Sequence, residues 1–258
     1  MVLLRGDTMT IQEIYDRLME KFLAIPEVSG FLDETVSIKM DSEPEQTLMP
    51  WNYIPFTGRR PEYRVYADFR GYLGEAYTEK PDTFTGTLRD AVNIPPSDNG
   101  IDARCLAAVN AVMNYLGLCA GTWPATFDEH RLYTDALFNY VALELGKRSN
   151  IILVGYDGYI VKKFVLEDMD FWTMDRDPDN ISQDRFKHVI VNSARFNREA
   201  CFAWGDYFII TGSTLTNGTI VQYLDKGKDL LFYGITIAGA ATLLDLPWFP
   251  VKRKPDYM

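Results

Sequence analysis

The sequence has little of the residue chemistry on which disulfide frameworks and most transition-metal sites depend. Its 258 residues include three cysteines and two histidines. Cys105, Cys119 and Cys201 are an odd number and form no Cys-x-x-Cys pair, so neither a disulfide framework nor a thiolate zinc site is predicted. His130 and His188 lie far apart in the chain, which argues against a histidine-rich metal site. This cysteine usage is typical of a reducing compartment, and we expect a cytoplasmic protein.

Positive charge and long hydrophobic runs are also scarce. Lys and Arg number 26 against 36 Asp and Glu, which gives a formal net charge of −10. A chain this acidic repels nucleic-acid phosphates and anionic membranes, because its basic residues are not clustered. The longest charge-free apolar stretch, residues 230–244, is shorter than the ~20 residues of a spanning helix. Residues 1–10 lack the apolar centre of a signal peptide. We expect no nucleic acid and no membrane as partner.

The first part of the chain mixes helices with short strands. Apolar residues recur at helical spacing over residues 11–22, behind a capping box formed by Thr10 and Glu13. Residues 101–116 show the same spacing and predict a second helix. We therefore predict a small α+β domain over residues 1–125.

From residue 147 onward, short apolar runs alternate with loops and helical segments. The continuous apolar run at residues 151–154 is typical of a strand buried on both faces of a parallel sheet. Further strands are predicted at residues 163–166, 188–191, 207–210 and 230–233. Because strand, loop and helix follow one another in this order, we predict a doubly wound α/β domain over residues 126–258.

Two loops of this predicted sheet carry carboxylates directly after a strand. Ligands of open parallel sheets bind beyond the carboxyl ends of the strands, where Asp157 lies as a candidate acid, base or metal ligand. Its neighbours Gly155 and Gly158 do not form a dinucleotide fingerprint, which needs three glycines. Glu167 and Asp168 follow the next predicted strand, where a Rossmann fold often places a ribose-binding acid. A solvated loop is the alternative interpretation of these two residues.

A third loop, residues 211–219 (TGSTLTNGT), is rich in hydroxyls and glycine. Glycine lets the backbone approach a ligand closely, and a helix that follows offers free N–H groups. Such a loop can hold a carboxylate, a phosphate or a polar ring edge. The alternative is that Thr216 or Asn217 caps the next helix and that the other hydroxyls face water. The candidate ligand residues of this loop are Thr211, Gly212, Ser213, Thr214 and Asn217.

Residues 206–219 (DYFIITGSTLTNGT) resemble the signature of a family described as "putative heavy-metal chelation". Residues 107–111 (AAVNA) resemble a helix of the enolase-N-terminal-like domain that precedes the Rossmann-like domain in that family. Residues 154–156 (VGY) resemble the first strand and turn of the Rossmann-like domain. The resemblance implies a Rossmann-like parallel-sheet domain behind a small enolase-N-terminal-like domain. It also implies a ligand cleft between the two and a role in handling a metal or a metal chelate.

Two departures from the family pattern affect that cleft. Relatives usually carry a Gly-Pro-Ser-Thr-like turn after the last strand, whereas residues 234–239 here are GITIAG. Relatives commonly have His where this chain has Tyr156. Both changes remove polar groups from the expected cleft, so the ligand can differ from that of the relatives.

These observations predict a small-molecule-binding or metal-chelate-binding protein. We expect Asp157, Thr211, Thr214 and Asn217 to line the cleft on the side of the large domain. Asn110 or Asn93 would face them from the small domain. Carboxylates and hydroxyls favour a hard divalent cation, and softer metals would arrive inside an organic chelate. The alternative is a nucleotide- or S-adenosylmethionine-type enzyme on the same sheet. Whether the chain catalyses a reaction is left open, and a homodimer is the expected assembly.

Overall fold

The amino-terminal part of the chain builds an antiparallel sheet. The structure, a computed structural model, describes residues 9–42, 62–119, 127–146, 149–177, 180, 184–185, 189–193 and 197–250, without the side chains of 127–131, 184–185 and 189–193. The strands are β1 (Thr35–Met40), β2 (Tyr63–Phe69), β3 (Tyr72–Thr78) and β4 (Phe84–Thr87). Their order in the sheet is β3-β2-β1-β4, so β3 is an outer strand.

Three helices accompany this sheet: α1 (Ile11–Leu23), α2 (Leu88–Val92) and α3 (Ala103–Tyr115). The predicted capping box of α1 is present: Glu13 N donates to Thr10 Oγ1 at 3.2 Å, and Thr10 N donates to Glu13 Oε2 at 2.7 Å. The predicted helix at residues 101–116 is α3. Its apolar residues pack against β2 and β3. The side chains of Val65, Ala67 and Ala76 on these strands are buried.

Helix α3 lies directly on β3 at Gly74. A Cβ atom at this position would overlap the backbone nitrogen of Ala111 and lie 2.5 Å from the carbonyl oxygen of Ala107. The helix backbone therefore occupies the space of a side chain, and only glycine allows this distance between helix and strand.

Two asparagines of α3 hydrogen-bond to the outer edge of β3. Asn110 Nδ2 donates to the carbonyl oxygen of Glu75 at 2.7 Å, and Asn114 Nδ2 donates to that of Leu73 at 3.0 Å. The two asparagines are one helical turn apart and reach alternate residues of the strand, whose carbonyls point the same way. Side chains thus satisfy edge groups that another strand would otherwise pair.

The same edge is joined to the carboxy-terminal part of the chain. Tyr77 N donates to Thr236 Oγ1 at 3.0 Å, and Thr216 Oγ1 donates to the carbonyl oxygen of Tyr77 at 2.8 Å. Asn110 also contributes, because its Oδ1 accepts from Gly239 N at 2.8 Å. These bonds fix β3 against two loops of the second sheet.

The carboxy-terminal part forms a six-stranded sheet of order β10-β9-β5-β6-β8-β7. Its strands are β5 (Ile151–Val154), β6 (Phe171–Asp175), β7 (Asp184–Arg185), β8 (Val189–Ser193), β9 (Tyr207–Thr211) and β10 (Asp229–Tyr233). All neighbouring pairs are parallel except β7 and β8. The helices are α4 (Phe127–Leu145), α5 (Gly158–Leu166), α6 (Arg198–Trp204), α7 (Ser213–Thr216) and α8 (Ala238–Leu244). The mixed α/β fold class is therefore confirmed.

One strand prediction is wrong. Residues 163–166 lie in α5, whose amino terminus is capped by Asp157. Asp157 Oδ1 accepts from Tyr159 N at 2.9 Å and from Ile160 N at 3.1 Å. This cap starts a helix whose apolar residues recur at helical spacing and are buried. The second strand of the sheet is instead β6, so the acid that ends it is Asp175.

The core continues from one sheet to the other. One buried cluster contains Leu18 of α1, Val109 of α3, and Ile152 and Phe208 of the parallel sheet. Strand β5 is central and fully buried, as its sequence predicts. The domain boundary at residues 125 and 126 stays a prediction, because it lies outside the described residues. None of the helices within the described ranges has the length and apolar character needed to cross a membrane.

A buried hydroxyl in β6 gives a stability prediction. Thr173 is 0% exposed, and its Oγ1 has no hydrogen-bond partner among the described residues. Thr173→Val keeps the shape and removes the unpaired group, so we expect the free energy of unfolding to rise by about 1 kcal/mol in urea titrations. The control is Thr214→Val, because Thr214 Oγ1 donates to the carbonyl oxygen of Thr211 at 2.8 Å and its loss should destabilise. Equal shifts in both variants would contradict this assignment.

Candidate functional site

The strand order of the parallel sheet defines a switch point at its carboxyl edge, where a ligand crevice is expected. From β5 the chain continues to β6 on one side of β5, and later returns to β9 on the other side. In doubly wound sheets the ligand binds at such a switch point, between the loops that diverge from the two strands. Here these loops begin at Gly155 after β5 and at Gly212 after β9. The predicted residues Asp157 and Thr211 thus both lie at the switch point.

The loop after β5 contacts the end of β9 through Gly155 and Thr211. Gly155 has a φ of +90°, and a Cβ on it would lie 2.7 Å from Thr211 Cγ2. The Tyr233 hydroxyl, at the end of β10, lies 3.6 Å from the position of a Cβ on Gly155. Burial, and then the negative charge of Asp157, raise the pKa of Tyr233 well above its usual value. The phenol therefore stays protonated as a hydrogen-bonding group beside the crevice.

Most polar groups of residues 211–219 close the loop on itself or on β3. Thr214 donates to the Thr211 carbonyl, and Thr216 donates to β3. Asn217 Oδ1 accepts from Thr219 N at 3.0 Å and from Thr219 Oγ1 at 2.6 Å. The loop lies between the two sheets, and these side chains hold its shape.

Gly212 and Ser213 form the buried start of this loop. Gly212 N donates to the carbonyl oxygen of Tyr233 at 2.8 Å, and a Cβ on Gly212 would lie 2.8 Å from Ile237 N. Ser213 begins α7 and is 8% exposed. Their place beside Thr211 puts both at the crevice, and their ligand contacts stay predictions.

The two asparagines expected to face the crevice, Asn93 and Asn110, have no described contact with the loops after β5 and β9, and their roles as ligand residues stay predictions. Asn110 is 1% exposed and its amide is used by backbone groups: Nδ2 donates to Glu75, Ile235 and Thr236, and Oδ1 accepts from Gly239. Asn93 ends α2 and is exposed, with its backbone N–H bonded to the carbonyl of Arg89. The described contacts give Asn110 a structural role and give Asn93 no contact with the loops of the crevice.

Sequence reasoning missed two residues at the end of β6, Asp175 and Arg176. Asp175 Oδ2 accepts from Tyr156 N at 2.7 Å, and its Oδ1 accepts from Asp177 N at 2.6 Å. Asp175 thus connects the loop after β5 to the loop after β6. The next residue, Arg176, approaches the first unit: its Nη1 lies 3.7 Å from Oε1 of Glu79, the residue that follows β3. The signal that could have found these residues is the Asp157 cap, which moves the second strand to residues 171–175.

The buried Asp175 predicts a pH dependence. Burial raises its pKa and the charge of Asp177 adds to this, although the hydrogen bonds from Asp177, Tyr156 and Asn180 lower it. Because the folded pKa is raised, the stability from this group is complete below the unfolded pKa of about 4 and is lost as pH rises through the folded pKa.

We expect Asp175→Asn to remove this decline while lowering stability overall, since an amide cannot accept from both N–H groups. Urea unfolding from pH 4 to pH 7 would show the difference between the two proteins. Parallel pH profiles would contradict the prediction.

Metal-ligating side chains are not clustered in the described part of the chain. Among the described residues there is no group of three or more His, Cys, Asp or Glu arranged to hold a metal ion. The three cysteines are buried thiols, and both histidine side chains lie outside the described ones. Burial raises the pKa of Cys119 and Cys201 to about 11, and that of Cys105 is raised as well.

We therefore expect the native protein to resist thiol reagents. The thiolate is the reactive form, and burial both disfavours it and blocks access. Titration with Ellman's reagent should find almost no fast-reacting thiol in the folded protein and three after unfolding in guanidinium, one for each cysteine of the chain. Rapid reaction of any thiol under native conditions would show that its surroundings open.

The comparisons with known proteins agree with the resemblance seen in the sequence. Residues 138–246 match the model of the DUF364 family, described as "Putative heavy-metal chelation". The resemblance recognised from residues 206–219 is therefore confirmed for this part of the chain. No curated protein matches the chain.

Two solved structures are similar in fold. A DUF364-family protein of unknown function from Desulfitobacterium hafniense has a TM-score of 0.52 and 13% identity, over 91% of this chain and 82% of its own. Another, from Pyrococcus horikoshii, has a TM-score of 0.47 and 15% identity, over 88% of this chain and 80% of its own. At these identities the likeness concerns the fold.

Proposed function

We propose that the chain binds a small polar ligand, a metal chelate or a divalent cation, in the crevice between its two sheets. The observation that carries this proposal is the contact of Gly155 with Thr211 at the switch point of the parallel sheet. An enolase-N-terminal-like unit in front of a Rossmann-like unit is the arrangement we propose for the two sheets. The description of the matched family supports a chelate as the ligand.

The chemistry of the crevice favours oxygen-rich ligands. Its polar groups are the Asp157 carboxylate and the hydroxyls of Thr211, Ser213 and Tyr233. Such oxygens suit hard cations or hydrogen bonds to an organic chelator. A soft metal would need its ligands supplied by the chelator, because the thiols of this chain are buried.

The alternative proposal, a nucleotide- or S-adenosylmethionine-type cofactor, needs an acid at the second strand to bind ribose hydroxyls. Asp175 is at that position, but each of its oxygens already accepts a backbone N–H. This use of Asp175 favours the chelate over the nucleotide.

Thermal unfolding of the full chain tests the proposal. We expect stabilisation by several degrees with Mg²⁺, Mn²⁺ or a ferric citrate chelate, and little with ATP or S-adenosylmethionine, because ligands that bind only the folded state raise the unfolding temperature. Thr211→Val and Ser213→Ala should reduce that shift. Thr242→Val is the control, because Thr242 lies in α8 and donates to the carbonyl of Ala238. Stabilisation by the adenine compounds alone would overturn the proposal.

A further inference from the structure

Arg176 is a cation whose charge is poorly matched in the structure. Its Nη1 is enclosed and has no hydrogen-bond partner among the described residues. The carboxylate beside it, Glu79 Oε1, is 3.7 Å away, which is too long for a hydrogen bond. The Arg176 side chain as a whole is 35% exposed.

Other arginines of the chain are paired closely. Arg64, Arg89 and Arg104 each have a carboxylate oxygen at 3.0 Å or less, and Arg70 is hydrogen-bonded to Glu34 through two nitrogens. The pKa of Arg64 is raised because its bonds to Asp41 and the charge of Glu75 outweigh its burial. Arg198 has no such carboxylate among the described residues either, but it donates to Gln222 Oε1 at 2.9 Å.

Asp175, the residue before Arg176, does not serve as its counter-ion. Asp175 directs its oxygens to the backbone N–H groups of Tyr156 and Asp177. Burial raises the pKa of Asp175. A second cation, Arg198, acts on the same region: Arg198 and Arg176 both lower the pKa of Tyr223, against the larger raising effect of burial.

The position of Arg176 connects it to the crevice. It follows β6, the neighbour of β5, at the carboxyl edge where the loop of Gly155 also begins. Glu79 approaches it from the first unit, at the end of β3. A ligand held between the two units would therefore meet the guanidinium at the place where Glu79 now lies.

We propose that Arg176 binds an acidic group of the ligand, a carboxylate or a phosphate, which replaces Glu79 as its counter-ion. The planar guanidinium offers two parallel N–H donors to such a group, and Nη1 supplies the unused one. Glu79 is 33% exposed, so solvent already reaches its side chain. This inference rests on the proposed function and narrows its ligand to acid-bearing molecules.

Calorimetric titration of the full chain with citrate and with inorganic phosphate, at constant ionic strength, tests this inference. We expect saturable binding of one of the two, which identifies the acidic group. Arg176→Gln should weaken that binding about 10- to 100-fold, because a charged hydrogen-bond pair is lost. Arg176→Lys should lie between, since lysine keeps the charge without the planar donors. Glu79→Gln should tighten binding by removing the competing carboxylate.

Arg89→Gln is the matched control, because Arg89 is an exposed arginine paired with Asp33. If Arg176→Gln does not fold, Arg176→Lys and Glu79→Gln still give the answer. Binding of neither anion, or equal binding by wild type and both Arg176 variants, overturns the inference. A thermal shift with ferric citrate that Thr211→Val abolishes but Arg176→Gln leaves intact overturns the inference and leaves the proposed function standing. Binding that depends on Arg176 but not on Thr211 would instead contradict the proposed function, which places the ligand beside Thr211.

Discussion

Asn110→Ala is expected to lower the free energy of unfolding by about 3–5 kcal/mol. The substitution leaves the carbonyl oxygens of Glu75, Ile235 and Thr236 and the N–H of Gly239 without this partner. A buried polar group that loses its hydrogen bond costs about 1–3 kcal/mol, and the four losses overlap because they share one side chain. The amide also joins α3 to the segment that leads into α8. Its removal therefore weakens the attachment of one sheet to the other.

Urea unfolding of Asn110→Ala and Asn114→Ala, side by side, checks this expectation. Asn114 is one helical turn further along α3 and makes one bond to β3, at 3.0 Å to Leu73, from a partly buried position. Its replacement should cost about 1 kcal/mol. Equal losses in the two variants would mean that the bonds of Asn110 to residues 235–239 contribute nothing to stability.

Gly74→Ala is expected to be at least as damaging, with a loss of about 3 kcal/mol or more, or a failure to fold. The added methyl group meets the backbone of α3 at Ala111 and Ala107 and no movable side chain end. The helix can accommodate it only by moving away from the sheet. That movement would open the core formed by Val65 and Ala76.

Gly30→Ala is the control for this substitution, because a Cβ on Gly30 has no atom within 4 Å. We expect its effect to stay within about 0.5 kcal/mol. Circular dichroism of the purified variants, followed by urea unfolding, separates a folded but weakened protein from an unfolded one. A Gly74→Ala variant as stable as wild type would contradict the close packing of α3 on β3.

The sequence predicts the elements whose signals are local. The capping box of Thr10 and Glu13 gives the start of α1, and the apolar run of residues 151–154 gives the central strand. Because strand positions locate a sheet's carboxyl edge, Asp157 and Thr211 could be placed at that edge from the sequence, whereas the switch point needed the strand order of the structure. These predictions depend on neighbours in the chain and need no knowledge of tertiary contacts.

The errors arise where two local patterns compete or where partners are distant in sequence. A short apolar run such as residues 163–166 fits a strand or a buried helix equally well, and the cap at Asp157 decides for the helix. This shift hid Asp175 and Arg176. The hydrogen bonds of the Asn110 side chain to the backbone of residues 235–239 could not be predicted, since these partners lie more than 120 positions away in the sequence.

The hydrogen-bonded edge of β3 has a consequence for how the chain can be divided. A fragment ending before residue 126 would keep Asn110 and Asn114 but would lack Thr216 and Thr236. The backbone of Tyr77 would then be an open template for the strands of other copies, as unprotected sheet edges generally are. Expressed alone, the amino-terminal half should aggregate, and adding the carboxy-terminal half in trans should suppress this.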